Sequence, residues 1–331
     1  MIAGERLAAW LGDRAGQKTT RAGVEAFVRK WNGDRILGDL HPELTGLVNP
    51  GRDRVVDLAR RMFDRIPVDD ILQELIGHCR VDPFFLPPLQ PLTGEVHSGL
   101  LLFHHEQLSV GLGVTSLDML AAKKAFRRGS ASIACTGVSN LFRYIRSGNA
   151  LVSFWEAPHI GEGFRAEEAG QCRLIDRRRI ADGEEFLVDG SCESFVVEHA
   201  TGDIVYLQAT IQAGAAPLTV EYDSDTLNFV NASSTDEASS RVQMMATLLR
   251  EMDRDDAVPV LRELLKTPHF YTRWHIMREL LALDAEAALP DLRRMAEGDP
   301  HPEVRAAARQ TLDLFFDEDE PSQQEPAACH A

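Results

Sequence analysis

The chain carries several side chains of metal-binding types within one predicted β region. The stretch FHHEQ places His104 and Glu106 on one face of a strand and His105 on the other, because strand side chains alternate. His159 and His199 fall in the same region. Imidazole and carboxylate groups that converge inside a barrel can hold iron, manganese or zinc. The sequence therefore predicts a candidate metal site at His104, Glu106, His159 and His199, and histidines satisfied by hydrogen bonds are the alternative.

The elements that would position these residues are short strands. Residues 92–222 contain β-branched and aromatic runs separated by glycine turns, a pattern typical of antiparallel sandwiches and barrels. The runs are HSGLLLFHHEQLSVGLGV, SASIACTGVS, NLFRYIRSG, NALVSFWEAP, EEFLVDG, ESFVVEHATG and DIVYLQATIQ. Where the last two meet, the stretch HATGDIVY predicts a hairpin.

The stretch DGEEFLVDGSCESFVVEH, with its two glycine turns between strands, resembles the second motif of the cupin barrel. The sequence departs from the metal-binding cupins at ligand positions. His104 and His105 are adjacent, whereas the first cupin motif separates its histidines by one residue, and Glu193 or Ser194 stands where the second motif has a histidine. The resemblance implies either a metal-dependent barrel or a barrel that keeps its shape without metal ligands.

Two further features of the β region have two interpretations each. Trp155, together with Glu156, His159 and Glu162, either lines the mouth of a pocket or packs in the core. The consecutive arginines of Arg177–Arg179 are typical of a solvated strand edge that discourages unwanted pairing. A docking patch for an acidic partner is the alternative for these arginines.

A second pattern recurs at a fixed spacing near the C-terminus. Arginines and leucines repeat every 32 residues, at Arg241, Arg273 and Arg305 and at Leu248, Leu280 and Leu312. A unit of about 32 residues with two short helices is one repeat of an α-solenoid, which buries its apolar face only against its neighbours. The stretch DPHPEVRAAARQTL resembles HEAT-like repeats of the phycobilisome-lyase type. This resemblance implies a helical array, and some relatives of that type handle chromophores or covalent cofactors.

The recurring arginines are predicted to be structural. In a stacked array an arginine that returns once per repeat can bridge carboxylates of the adjoining repeat. The candidate acceptors are Asp253, Asp284, Asp255 and Glu286.

The stretch HFYTRWH combines aromatic residues with an arginine at the start of a predicted helix, a combination typical of protein interfaces. Phe270, Tyr271, Arg273 and Trp274 are therefore predicted to bind a partner. Core packing against the next repeat is the equal alternative.

The first 83 residues are predicted to be helical. The stretch RAGVEAFVRKW spaces its apolar residues along one helix face, and GRDRVVDLARRMFDRI and PVDDILQELIGHC do likewise. Four prolines in RVDPFFLPPLQPLTGE then end the helical pattern and mark a domain boundary.

The composition limits the classes of partner. A formal net charge of -16 on 331 residues opposes nucleic acids and anionic membranes, so neither is expected as a partner. No apolar run approaches the roughly 20 residues that span a bilayer, and the first residues lack the pattern of a secretory signal. Phosphate-binding and serine-nucleophile motifs such as GxxxxGK[ST] and GxSxG are missing from the sequence. We therefore expect a cytoplasmic location.

These patterns predict a multidomain α and β protein. A helical N-terminal segment (1–83) precedes a cupin-like antiparallel β-sandwich or barrel (92–222), a C-terminal α-solenoid of HEAT-like repeats (234–316) and a disordered acidic tail (317–331).

The predicted function is that of a non-catalytic adaptor or regulatory protein, which needs no cofactor. It would bind a partner protein through the HEAT-like repeats and the β domain, and the β domain leaves open a homo-oligomer. The alternative is a metal-dependent cupin-type enzyme, an oxygenase or isomerase. It would use iron, manganese or zinc on a macromolecular or small-molecule substrate.

Overall fold

The apolar stripes of the first eighty residues form helices in the computed structural model, which describes residues 2–31, 36–126, 132–161 and 164–315. The predicted tail at 317–331 lies outside these residues. The described residues divide into two units. The first comprises residues 2–159 and 170–231, and the second comprises residues 160–169 and 232–315.

In the described residues, five α-helices precede the first strand. They are α1 (Ile2–Gly12), α2 (Arg14–Trp31), α3 (Leu40–Thr45), α4 (Arg52–Arg65) and α5 (Val68–Val81). Pro67 stands just before α5, where a missing backbone N–H costs nothing because the first turn has no acceptor for it. A further helix, α6 (Leu117–Phe126), interrupts the region that the sequence predicted to be all strand.

Twelve named strands follow in the described residues. They are β1 (Gln90–Thr93), β2 (His97–His105), β3 (Leu108–Thr115), β4 (Ser132–Cys135), β5 (Ser139–Arg146), β6 (Leu151–Glu156), β7 (Arg173–Arg179), β8 (Glu185–Val188), β9 (Glu193–His199), β10 (Ile204–Ile211), β11 (Leu218–Asp223) and β12 (Phe229–Ser234). One sheet has the order β1-β2-β3-β10-β5-β8, and two three-stranded sheets have the orders β12-β11-β4 and β7-β6-β9. The strand pairs are antiparallel, as the sequence predicted.

The N-terminal helices share a core with the six-stranded sheet. Phe27, Leu58 and Met62 from the helices are buried in one cluster with Leu141 and Leu207 from the sheet. These side chains exclude water from the face of the sheet that the helices cover. The burial of apolar surface therefore holds the helices on the sheet. The N-terminal segment and the β region thus belong to the same unit.

The opposite face of the six-stranded sheet packs against β6 and β9. Phe142 and Tyr144 from β5 lie in a second cluster with Val152 from β6, and Phe154 and Phe195 pack against it. Phe142 meets Phe195 edge to face, with ring centroids 5.0 Å apart. Because side chains alternate along β5, Leu141 faces the helices while its neighbour Phe142 faces the aromatic cluster.

The predicted hairpin in HATGDIVY is wrong. Strand β9 ends at His199 and pairs with β6, whereas β10 begins at Ile204 and pairs with β3 and β5. The turn between them therefore crosses from one sheet to the other. The long run HSGLLLFHHEQLSVGLGV instead forms the hairpin of β2 and β3, which turns at Glu106 and Gln107.

Five α-helices lie in the described residues of the second unit. They are α7 (Glu237–Glu251), α8 (Val258–Leu264), α9 (Phe270–Leu283), α10 (Ala285–Gly298) and α11 (Pro302–Phe315). Helix α9 packs against α7, α8, α10 and α11. Asp236 and Asp284 cap the starts of α7 and α10, since each carboxylate accepts a hydrogen bond from a backbone N–H of the first turn.

We expect the substitution Met62→Ala to lower the free energy of unfolding by about 2–5 kcal/mol, because it leaves a cavity between α4 and the sheet. Met119→Ala is the matched control, since this side chain is largely exposed, and its effect should stay within about 0.5 kcal/mol. Urea unfolding monitored by circular dichroism measures both values. Equal effects of the two substitutions would contradict the shared core.

Candidate partner-binding surface of the helical repeats

The structure does not gather the predicted metal ligands. The Nδ1 atom of His104 lies 2.8 Å from the Oγ atom of Ser109 on the neighbouring strand. Glu106 lies in the turn after β2, so the predicted strand face that it would share with His104 is wrong. Strand β2 ends one residue earlier because the chain must reverse into β3.

The two other candidate ligands lie on different elements. His199 is the last residue of β9, and His159 follows β6; both side chains are exposed. In the described part of the chain, no three His, Cys, Asp or Glu residues are grouped so that they could hold a metal ion. His104, Glu106, His159 and His199 therefore do not fit a metal centre in this structure.

All three guanidinium nitrogens of Arg273 on α9 donate hydrogen bonds within the helical repeats. Its side chain is only 9% exposed, and its Nε and Nη2 atoms each donate to one oxygen of Asp299 at 2.8 Å. The Nη1 atom donates to the carbonyls of Thr267 and Pro268 at 3.0 and 2.7 Å. Asp299 precedes α11, so the bidentate pair ties α9 to the loop of the next repeat.

Arg305 on α11 makes the same local contacts. Its Nη1 atom donates to the carbonyls of Asp299 and Pro300, which occupy the positions that Thr267 and Pro268 occupy before Arg273. Arg241 does not follow this pattern and pairs with Glu237 on its own helix.

The acceptor of Arg273 differs from the prediction. None of the predicted acceptors Asp253, Asp284, Asp255 and Glu286 pairs with Arg273 in the described structure. Asp284 caps α10, and the others lie in turns or in the first turn of a helix. Asp299 comes 26 residues after Arg273, whereas the residue 26 positions after Arg241 is Thr267, which has no carboxylate. This difference explains why Arg241 remains on the surface.

The residues predicted to bind a partner mostly support the fold instead. Phe270 stacks on His301 with ring centroids 3.7 Å apart, and it packs with Trp274 against a buried cluster of α9, α10 and α11. The hydroxyl of Tyr271 accepts a hydrogen bond from Ser234. Arg273 is itself buried. These four residues therefore belong more to the packed interior of the repeats than to their exposed surface.

His301 is buried without a hydrogen-bond partner for either ring nitrogen in the described structure. Burial lowers the pKa of His301 below its ordinary value, and the nearby Arg273 and Arg165 act in the same direction. Glu303 and Asp299 oppose the shift. Burial alone would raise the pKa of Asp299, but hydrogen bonds from Arg273 and from the backbone of His301 lower it overall.

A cleft of about 420 Å³ lies beside this network. Two successive loops form its sides, with Pro268 on one and Pro300 on the other. Leu265 and Met295 supply apolar lining, and Arg273 lies in the wall. The cleft therefore lies between the connecting loops of successive repeats and combines apolar lining with the charged side chains of Arg273, Asp291 and Asp299.

Two exposed cations, Lys266 and Arg294, lie at the rim of the cleft. The side chains of Lys266 and Arg294 are 73% and 76% exposed. Arg294 pairs with Asp291 at 2.9 Å, but the same carboxylate also binds Arg262 at 2.9 Å. Asp291 therefore keeps an ionic partner when Arg294 turns toward another anion. Exposed pairs of this kind contribute little stability.

The arginines of Arg177–Arg179 lie on the edge strand β7, where Arg177 and Arg178 form ion pairs and Arg179 donates to the carbonyl of Asn149 at 2.8 Å. Arg177 binds Glu198, and Arg178 binds Glu184 and Asp176. Trp155 lines a smaller cavity of about 230 Å³ together with Phe154 and Phe186, while its indole N–H is buried without a partner. Glu162 lies outside the described residues.

The comparisons with known proteins agree with the helical repeats. The HEAT repeats family matches residues 229–313. The resemblance predicted from the 32-residue spacing is therefore confirmed for this part of the chain, and HEAT repeats are generally protein-interaction motifs.

No curated protein matches the chain. Similar solved structures include ectoine synthase from P. lautus, with 9% identity over 37% of this chain and 67% of that chain, at a TM-score of 0.21. A cupin domain from Bordetella pertussis Tohama I has 9% identity over 37% of this chain and 99% of its own, also at 0.21. The Schizosaccharomyces pombe Cnp3 cupin domain has 8% identity over 38% and 70%, again at 0.21.

Two of these three structures are cupin domains, the family that the glycine-turn stretch of the sequence resembles. A further finding concerns membranes. None of the helices in the described ranges combines the length and the hydropathy needed to cross a bilayer.

We expect Arg273→Ala to lower the free energy of unfolding by about 3–5 kcal/mol, because Asp299 would remain buried without its ionic partner. Arg241→Ala occupies the equivalent position one repeat earlier and is the matched control. Its side chain is exposed, so its effect should stay within about 0.5 kcal/mol. Chemical denaturation of both variants tests this difference, and similar losses would show that the buried pair has no special role.

We expect the stability to fall as the pH decreases below about 6.5, because His301 takes up a proton more readily in the unfolded chain than in the folded one. Above that pH His301 is neutral in both the folded and the unfolded chain, so its protonation does not reduce the stability. His301→Leu and His301→Gln both remove the titrating group, so each should flatten the decline between about pH 7 and 5.5. Urea midpoints across this range provide the measurement. An unchanged slope in both variants would rule out His301 as its source.

Proposed function

We propose that this protein is a non-catalytic adaptor that binds a segment of a partner protein through its HEAT-like repeats. The observation that carries the proposal is the cleft between the two successive loops, with its apolar lining and its exposed cations Lys266 and Arg294. A cytoplasmic location and a contribution from the β domain belong to the same proposal.

The chemistry of the cleft favours a segment that carries both apolar and acidic side chains. Leu265 and Met295 would contact the apolar part, and methionine adapts its shape to varied surfaces. Lys266 and Arg294 would bind a carboxylate at the rim, where Arg262 continues to neutralise Asp291. The buried pair of Arg273 and Asp299 keeps the loops at a fixed separation, so the loops lose little conformational entropy when a partner binds.

The enzyme alternative has less support. His104, Glu106, His159 and His199 lie on separate elements or in turns, and we propose no step through iron, manganese or zinc at these positions.

The test removes the two rim cations without disturbing the floor of the cleft. The double substitution Lys266→Gln and Arg294→Gln should reduce the amount of the specific partner that is recovered by affinity capture from cells that make the protein. The expected reduction is at least about tenfold, since a lost charged contact costs about 1.4 kcal/mol or more. The matched control replaces two other exposed arginines of the same unit, Arg278→Gln and Arg293→Gln. Quantitative mass spectrometry compares the captured proteins.

The proposal requires one protein that the wild type and the control variant both recover and that the rim variant loses. Identical recoveries by all three chains would contradict it. Equal melting temperatures of the three chains exclude unfolding as the cause of a loss.

A further inference from the structure

The cavity beside Trp155 lies between two sheet edges of the first unit, and the proposed function does not use it. Strand β7 is the edge of the sheet β7-β6-β9, and β8 is an edge of the six-stranded sheet. Residues of both strands line the cavity, which has a volume of about 230 Å³. Because a water molecule occupies about 30 Å³ in the liquid, a molecule of roughly eight non-hydrogen atoms fits this volume.

An irregularity in the pairing of β6 with β7 shapes the cavity. Phe154 lies opposite Asp176, but the next residue, Trp155, lies opposite Leu174, so Ile175 has no partner on β6. Consecutive side chains of a regular strand face opposite sides of the sheet. An extra residue redirects side chains, and such irregularities are common next to active sites. Phe154, Trp155 and Ile175 all line the cavity.

The walls of the cavity are mainly apolar. Strand β8 contributes Phe186, Leu187 and Val188, in addition to the aromatic rings of Phe154 and Trp155. The rings of Phe154 and Phe186 meet edge to face, with centroids 5.1 Å apart. Small-molecule sites usually combine such walls with a few polar groups that orient the ligand.

The cavity has one hydrogen-bond donor and one acceptor at adjacent strand positions. The indole N–H of Trp155 is buried and has no acceptor among the described residues. A buried donor without a partner costs free energy, which an acceptor on a ligand would recover. Glu193 supplies the acceptor, because only its Oε2 atom is bonded in the described structure, to the backbone N–H of Asp189 at 2.9 Å. Trp155 pairs with Ser194, the residue after Glu193.

The other two charged residues of the lining neutralise each other. Arg178 binds Asp176 at 3.0 Å, also binds Glu184, and lies over the ring of Phe154 at 4.9 Å. Neither Asp176 nor Arg178 therefore offers an unbalanced charge to a ligand. The carboxylate of Glu193 is opposed only by backbone, so the cavity disfavours an anion.

We propose that this cavity binds a small, largely apolar alcohol. The hydroxyl oxygen accepts a hydrogen bond from the indole N–H of Trp155, and the hydroxyl hydrogen is donated to Glu193. The apolar part of the molecule packs against Phe154 and Phe186. A hydroxyl both accepts and donates, whereas a protonated amine offers no acceptor to the indole and a carboxylate would be repelled by Glu193. For a ligand of this size we expect a dissociation constant on the order of 0.1–1 mM.

Nuclear magnetic resonance of the full ¹⁵N-labelled chain tests the proposal with benzyl alcohol as the probe and toluene as its counterpart without a hydroxyl. The chain has four tryptophans, and Trp155→Phe identifies the indole signal of Trp155. Benzyl alcohol should shift that signal until the site is saturated. Toluene should bind at least about tenfold more weakly, because it leaves the indole N–H unpaired. Benzoate should also bind at least about tenfold more weakly, since Glu193 repels it.

The variants separate the hydrogen bond from the apolar contacts. Trp155→Phe should abolish the roughly tenfold preference for benzyl alcohol over toluene, measured by saturation-transfer titration of the two ligands. Trp10→Phe makes the same exchange on α1 of the same unit and should keep the preference.

Equal affinities of the wild type for benzyl alcohol and toluene would overturn the proposal, and this comparison needs no variant that might fold poorly. Tighter binding of benzoate would also overturn it. So would a titration that shifts another indole signal and leaves that of Trp155 in place.

Discussion

The helical repeats depend on one buried ion pair. Arg273 and Asp299 are almost removed from water, so each donor and each carboxylate oxygen must find a partner within the protein. The bidentate geometry meets this requirement only when α9, the loop before it and the loop before α11 stand at fixed distances. The cleft lies between those same two loops. The shape of the cleft therefore depends on the hydrogen bonds that the guanidinium group of Arg273 makes.

The same requirement separates the interior of the repeats from their first helix. Arg273 has a carboxylate in the following repeat and becomes buried, whereas Arg241 meets Thr267 at that distance and stays exposed. Arg241 pairs with Glu237 on the surface of its own helix instead. One repeating position is therefore buried in one repeat and exposed in another.

The first unit uses its chemistry mainly for packing. Its central sheet buries Leu141 and Leu207 against the helices and Phe142 and Tyr144 against the second sheet. Burial raises the pKa of the Tyr144 hydroxyl well above its ordinary value, so this group remains neutral. The exposed histidines lie at strand ends and turns, away from that core.

The sequence by itself determined the helical stripes, the strand-rich region and the 32-residue repeat, because these patterns depend on spacing along the chain. It also identified Arg273 as structural from its recurrence alone. Only the tertiary structure decided that Asp299 is its acceptor, that HATGDIVY crosses between sheets, and that His104 and Glu106 do not share a strand face. Each of these depends on which distant segments meet, or on where a strand must end to let the chain reverse. Local periodicity carries no information on either, and so the cleft could be recognised only in three dimensions.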